Sequence, residues 1–141
     1  MSTRPGSTPG RTRASAARAI ASTLSARPIL VHLHGLLHSS LGRAIDFESV
    51  LDFRQRQREM ISTLAPALAR RVAGLSEVSA RRFLIRLEVV VGGLAWAAFP
   101  SRTVARALRD ENLSIFRFNF EEELTEMLAG LLARSSSERK A

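Results

Sequence analysis

The sequence predicts an all-α fold, a bundle of about six helices, and three observations carry that reading. Apolar residues recur at helical spacing along most of the chain. The starts and stops Pro28, Asp46, Gly74, Ser76, Pro100, Ser101 and Asn119 cut this pattern into lengths that suit helices. No Asn-Gly hairpin, strand-like alternation or internal repeat points to a sheet or a solenoid.

A chain of 141 residues fits one domain with a real core. Residues 1–13 carry two prolines and two glycines among Ser, Thr and Arg, with no apolar period, and read as a disordered basic arm. The helical domain spans 14–133, and 134–141 is a disordered tail.

Its first helix shows Ala17, Ile20, Ala21 and Leu24 on one face. Pro28 opens the second, at a position where a missing N–H is harmless, and Gly42 ends it. This helix carries Ile29, Leu30, Leu33, Leu36 and Leu37. Asp46 caps a long third helix reaching about Ala73, with Phe47, Val50, Leu51, Ile61, Leu64, Ala65, Leu68 and Val72 inward. Gly74 stops it, and Pro66 should bend or divide it, since proline removes a ladder bond and crowds the preceding turn.

Residues 76–99 form the most informative element. Its second half, Val89-Val90-Val91-Gly92-Gly93-Leu94-Ala95-Trp96-Ala97-Ala98-Phe99, is uncharged. At 100° per residue Ala80, Leu84, Leu87, Val91, Leu94 and Ala98 line one face, and Ile85, Val89, Gly92 and Trp96 line another. Such a helix needs neighbours on two sides. Phe99-Pro100 closes it, and Ser101 starts a short helix with Val104, Ala105 and Leu108. Asn119 and Glu122 then begin the last helix as a capping-box-like pair, where Glu121, Glu122 and Glu123 complement the helix dipole. Its stripe is Phe120, Leu124, Met127, Leu128, Leu131 and Leu132.

The formal charge of +8 sits mostly at the ends. Residues 1–27 hold five arginines and no acid, whereas 28–133 hold thirteen basic and twelve acidic residues. High basicity is therefore weak support for a DNA-reading surface in the folded part. The absence of cysteine excludes disulfide scaffolds, thiolate zinc sites and cysteine nucleophiles. The longest uncharged runs, 28–42 and 89–101, are too short for a membrane span, so a cytoplasmic protein with no membrane partner is expected. The acid-free, Ala/Arg/Ser-rich start is transit-peptide-like, but the Ala/Arg bias continues through the chain and reads as compositional.

His34 and His38 share a helix face as metal ligands do, yet His32 points elsewhere and no carboxylate of that helix completes a site. No metal and no cofactor are expected; the two histidines suit a pocket edge, where they could orient a ligand's polar group. Phe53, Met60, Trp96 and Phe99 are candidates for an apolar cavity lining. Arg54 and Arg58 share a face that could hold an anion, although a solvated stretch of helix explains them as well. No phosphate loop, zinc-protease motif or nucleophile elbow occurs, so the chain does not read as an enzyme.

The order of elements is informative in itself. A short helix ends in Ser-Ala-Arg-Pro-Ile-Leu, a long one contains Phe53-Arg54-Gln55-Arg56, Gly74-Leu75-Ser76 follows, then Val91-Gly92-Gly93-Leu94-Ala95-Trp96, Pro100-Ser101 and a final amphipathic helix. Over residues 14–133 this resembles the C-terminal regulatory domain of TetR-type transcriptional repressors. The resemblance implies a homodimer whose last two long helices form a four-helix interface, with Leu84, Leu87 and Val91 on one helix and Leu124, Met127, Leu128 and Leu131 on the other. It also implies a cavity for a small, apolar molecule, for which His34, His38, Phe53, Met60 and Trp96 are the chosen residues.

The departure from the family is the missing helix-turn-helix head, in whose place stands the Pro/Gly/Ser arm. DNA is then a partner only if an upstream segment or a partner subunit supplies that head. The rival reading is a helical protein-interaction module whose basic arm touches nucleic acid through phosphates.

Overall fold

The computed structural model describes residues 12–40 and 46–135, with the side chains of 37–40 outside the description. Among the described residues six α-helices and one short 3-10 helix follow one another: α1 (Arg13–Ser25), α2 (Pro28–Ser40), α3 (Phe47–Arg71), α4 (Glu77–Ala98), α5 (Arg102–Ala107), the 3-10 helix Glu111–Phe116, and α6 (Phe120–Arg134). The all-α expectation holds. Of the residues assigned to the arm, Thr12 and Arg13 are described: Arg13 is the first residue of α1, and the Thr12 hydroxyl caps it by accepting the Ser15 N–H.

Polar side chains start the longer helices where the sequence placed them. The Ser49 N–H donates to Asp46 Oδ1 at 2.9 Å, the Ser79 N–H to Ser76 Oγ at 3.1 Å, and the Glu122 N–H to Asn119 Oδ1 at 3.1 Å. Each bond satisfies an amide that the helix itself leaves without a partner. Gly74, at φ 72, turns the chain from α3 to α4 in the left-handed region that glycine enters without strain. Its carbonyl accepts a 3.0 Å bond from Arg13 Nη2, which ties the start of α1 to this turn.

α4 is the hub, packing against α2, α3 and α6, while α1 lies along α6 and touches α2. The core gathers Phe83, Val91, Leu94 and Ala95 of α4, Leu124, Leu128 and Leu132 of α6, Ala17 and Ala21 of α1, Val31 of α2 and Ala65 of α3. Two contacts fix α4 and α6 as antiparallel neighbours. The buried Ser79 Oγ–H donates to the Ser135 carbonyl at 3.2 Å, and at the opposite end the Phe99 and Phe120 rings lie 5.7 Å apart.

Two expectations meet a different arrangement, and α2 adds an unforeseen one. α3 is not divided at Pro66: it runs on to Arg71, held on either side of the proline by fully buried Ala65 and by Leu68 and Ala69 against the core. Phe47, Leu51 and Leu64, expected inward, are exposed. In α2 Ile29, Leu30, Leu33 and Leu36 also face outward, and buried Val31 and half-buried Gly35 face α4 instead. The reason is proximity: a Cβ on Gly35 would stand 3.2 Å from the Ala95 Cβ and 3.6 Å from the Gly92 carbonyl oxygen, so the two helices approach through their smallest residues. The expected end of α2 at Gly42 lies outside the described residues.

Candidate functional site

The buried side of α4 carries Ala80, Phe83, Val91, Leu94 and Ala95. On the opposite side Val78, Ile85, Val89 and Trp96 remain 64, 51, 64 and 80% exposed. At about 1.5 Å per residue this stripe is about 27 Å long, the full working length of the helix. It includes Gly93, where an added Cβ would meet nothing within 4 Å. Arg82 and Arg86 flank it, with Arg81 nearby held by Glu77 at 2.9 Å. The two-faced reading of this helix is thus reproduced for Ile85, Val89 and Trp96. Gly92 changes sides, because it lies beneath Gly35 of α2. Val78 was missed, although it stands seven residues before Ile85 on the same face.

The residues assigned to a subunit interface separate into three groups. Val91, Leu124 and Leu128 are buried within the subunit's own core, Leu124 and Leu128 completely, and so have almost no surface left to offer a second copy. Leu84, Leu87 and Leu131 are partly buried against that core. Met127 is exposed. On α4 the exposed apolar side chains are Val78, Ile85, Val89 and Trp96, on α6 Met127, and on α2 Ile29, Leu30, Leu33 and Leu36.

The four ligand candidates whose side chains are described do not converge on one cavity. His34 is half-buried, its ring Nε2–H donating to the Glu88 carbonyl at 3.1 Å, which fixes the imidazole against α4. Phe53 is half-buried, with the Arg54 guanidinium 5.8 Å from its ring centroid. Met60 and Trp96 are exposed. The His38 side chain lies outside the described residues. Gln57, between Arg56 and Arg58 in sequence, is half-buried. Its Oε1 accepts from Arg54 Nη1 at 2.7 Å, and its buried Nε2 has no hydrogen-bond partner among the described residues. A buried amide donor in that condition costs about 1–3 kcal/mol and favours an incoming acceptor.

A separate open cleft of about 470 Å³ lies where α4 ends, walled by Ala97, Ala98, Pro100, Leu108, Phe116 and Phe118. Arg117 braces its floor through bonds from Nε to the Leu108 carbonyl (2.6 Å) and from Nη2 to the Asp110 carbonyl (3.1 Å). None of His34, Phe53, Met60 and Trp96 lines it. Among the described residues no group of His, Asp or Glu could hold a metal ion, and no helix is long and apolar enough to cross a membrane.

The fold is thus a helical bundle with a hub helix, an exposed apolar stripe on that helix and an open, largely apolar cleft at its end. The chain belongs to the tetracycline-repressor-like C-terminal domain family, whose model matches residues 3–134. Domains of this family are the regulatory parts of TetR-type transcription regulators. No curated protein is a significant match to the chain.

Proposed function

We propose that this chain is the small-molecule-sensing, homodimerising regulatory domain of a TetR-type transcriptional regulator and has no enzymatic activity. The observation that carries this reading is the outer face of α4, where Val78, Ile85, Val89 and Trp96 are exposed on the helix that also organises the core. An apolar stripe of this length, broken at Arg81 and Arg82 between Val78 and Ile85, supports an interaction surface rather than scattered surface residues.

Burying these four side chains is worth roughly 1.5 to 3 kcal/mol each, of the same order as the 4 to 15 kcal/mol that association costs. The stripe therefore needs help from its surroundings, and exposed Met127 on the neighbouring helix α6 supplies apolar area. In this reading a ligand acts by preferring one dimer geometry, and shifts it only by its difference in affinity between geometries. Half-buried Phe53 and His34 are the retained ligand positions, and the unsatisfied Gln57 amide asks for a ligand with a hydrogen-bond acceptor.

Sedimentation velocity of the chain over a range of concentrations tests the reading. A dimer that persists on dilution is expected; a single monomeric species throughout would remove it.

A further inference from the structure

We propose that the cleft where α4 ends is a second ligand site, separate from Phe53, His34 and Gln57, and that it takes a small aromatic carboxylate. The ring would lie among Pro100, Leu108, Phe116 and Phe118, and the acid would be met by Arg109 and Arg117. This assignment stands whether or not the chain pairs with a second copy.

The cleft's volume of about 470 Å³ suits one small molecule. Two of its sides are built from short or compact residues, Ala97, Ala98 and Pro100 at the end of α4 and Ala105 and Leu108 from α5. The third, residues 116–118, carries both rings. Small side chains on two sides and aromatic ones on the third leave a slot for a flat ring, which gains from ring-to-ring contact beyond the area it buries. Phe116 and Phe118 are both exposed, so each keeps apolar surface that such a ring would cover.

The charge of the lining selects the sign of the ligand. Among the described residues no acidic side chain lines the cleft, whereas Arg109 and Arg117 do. Arg109 is exposed, and its guanidinium makes no hydrogen bond or ion pair among the described residues. Arg117 donates only to the carbonyls of Leu108 and Asp110, neutral acceptors that orient its guanidinium and leave its charge unpaired. The acid nearest in sequence, Asp110, is engaged elsewhere: its Oδ1 accepts from the Asn112 N–H at 2.9 Å and from Asn112 Nδ2 at 3.1 Å. The contrast is with Arg56 and Arg81, each held by a carboxylate of its own helix, Asp52 and Glu77. A guanidinium presents a planar fork that matches a carboxylate, and one already held in place loses less freedom on binding it. A neutral apolar occupant would cover these cations without supplying an acceptor, which costs free energy. An apolar slot lined by two such cations therefore favours an amphipathic anion.

Isothermal titration calorimetry of the full chain with cinnamate, and with its neutral isostere cinnamamide, tests the assignment. Cinnamate is expected to bind about ten-fold more tightly than the amide, since hydrogen bonds between charged groups are the stronger ones. Its affinity should fall as salt rises, because Arg109 is reached by solvent. Arg109→Gln is expected to weaken cinnamate about ten-fold and to leave cinnamamide unchanged. Arg70→Gln, the same change of charge at an exposed position of α3, should alter neither. Ala105→Phe, which fills the cleft from an exposed position of α5, should abolish binding of both. Circular dichroism checks that each variant keeps its helicity. No binding of cinnamate, equal affinities for acid and amide, or wild-type affinity in Arg109→Gln overturns the proposal. Full binding by a folded Ala105→Phe chain places the probe elsewhere and overturns it equally. Sedimentation velocity decides the homodimer separately.

Discussion

Asp46 shows how much one side chain settles about a helix start. Its carboxylate accepts both the Ser49 N–H and the Ser49 hydroxyl, the latter at 2.8 Å, and these two bonds, the backbone one foremost, hold its pKa below the ordinary 3.8. A depressed folded-state pKa means that the cap's contribution is fully present above the unfolded value, near 3.8, and is lost as the pH falls through the lowered folded value. Asn caps comparably but does not titrate. Asp46→Asn is therefore expected to leave the urea midpoint at neutral pH nearly unchanged and to flatten its decline below about pH 4. Parallel acid limbs for the two proteins would show that the cap carries no pH dependence. Asp46, Ser76 and Asn119 were legible in the sequence because a cap is a local interaction, decided within three residues. Gln57 was not: its sequence neighbours are charged, and nothing local marks it as the one whose amide nitrogen is buried.

At the scale of elements, close approach explains what apolar periodicity did not. The leucines of α2 are its most hydrophobic residues, yet Val31 and Gly35 face α4. Hydrophobicity ranks side chains by transfer energy, but two helices come nearest where their side chains are smallest. Gly35→Val should therefore be destabilising by about 1–3 kcal/mol, as overpacking of a close contact is. Gly130→Ala in α6, where an added Cβ meets nothing within 4 Å, should be neutral or gain up to about 1 kcal/mol from helix propensity. Chemical denaturation of the two variants makes the comparison; equal effects would mean that α2 yields to accommodate the new side chain. Periodicity did reveal that α4 carries two apolar faces. It could not say which face the subunit would take, since both have the same spacing. Pro66 likewise carries a local penalty that sequence registers, while the burial of Ala65 that keeps α3 in one piece is tertiary.

For the whole molecule, the difference between core and interface decides what a charge does. Sequence order placed Leu124 and Leu128 of α6 at a subunit interface, because the resemblance specifies which helices meet and not which side of each. In the folded subunit Leu128 is wholly enclosed, whereas Val89 stands in solvent. An arginine at Leu128 would have to be buried without a partner, at a cost of several kcal/mol against a total stability of about 5–15 kcal/mol. At Val89 the same side chain is solvated in the isolated subunit and meets desolvation, together with its own copy, only on association. Leu128→Arg is thus expected to abolish the cooperative thermal transition, and Val89→Arg to preserve helicity and cooperative melting while converting a dimer to monomer in sedimentation velocity. If Val89→Arg keeps the dimer mass, α4 does not present this face to its mate, and the apolar stripe must serve another occupant. If instead Leu128→Arg yields a folded monomer, α6 exchanges its packing between subunit and dimer, and the boundary between core and interface drawn from the isolated subunit does not apply to the assembly.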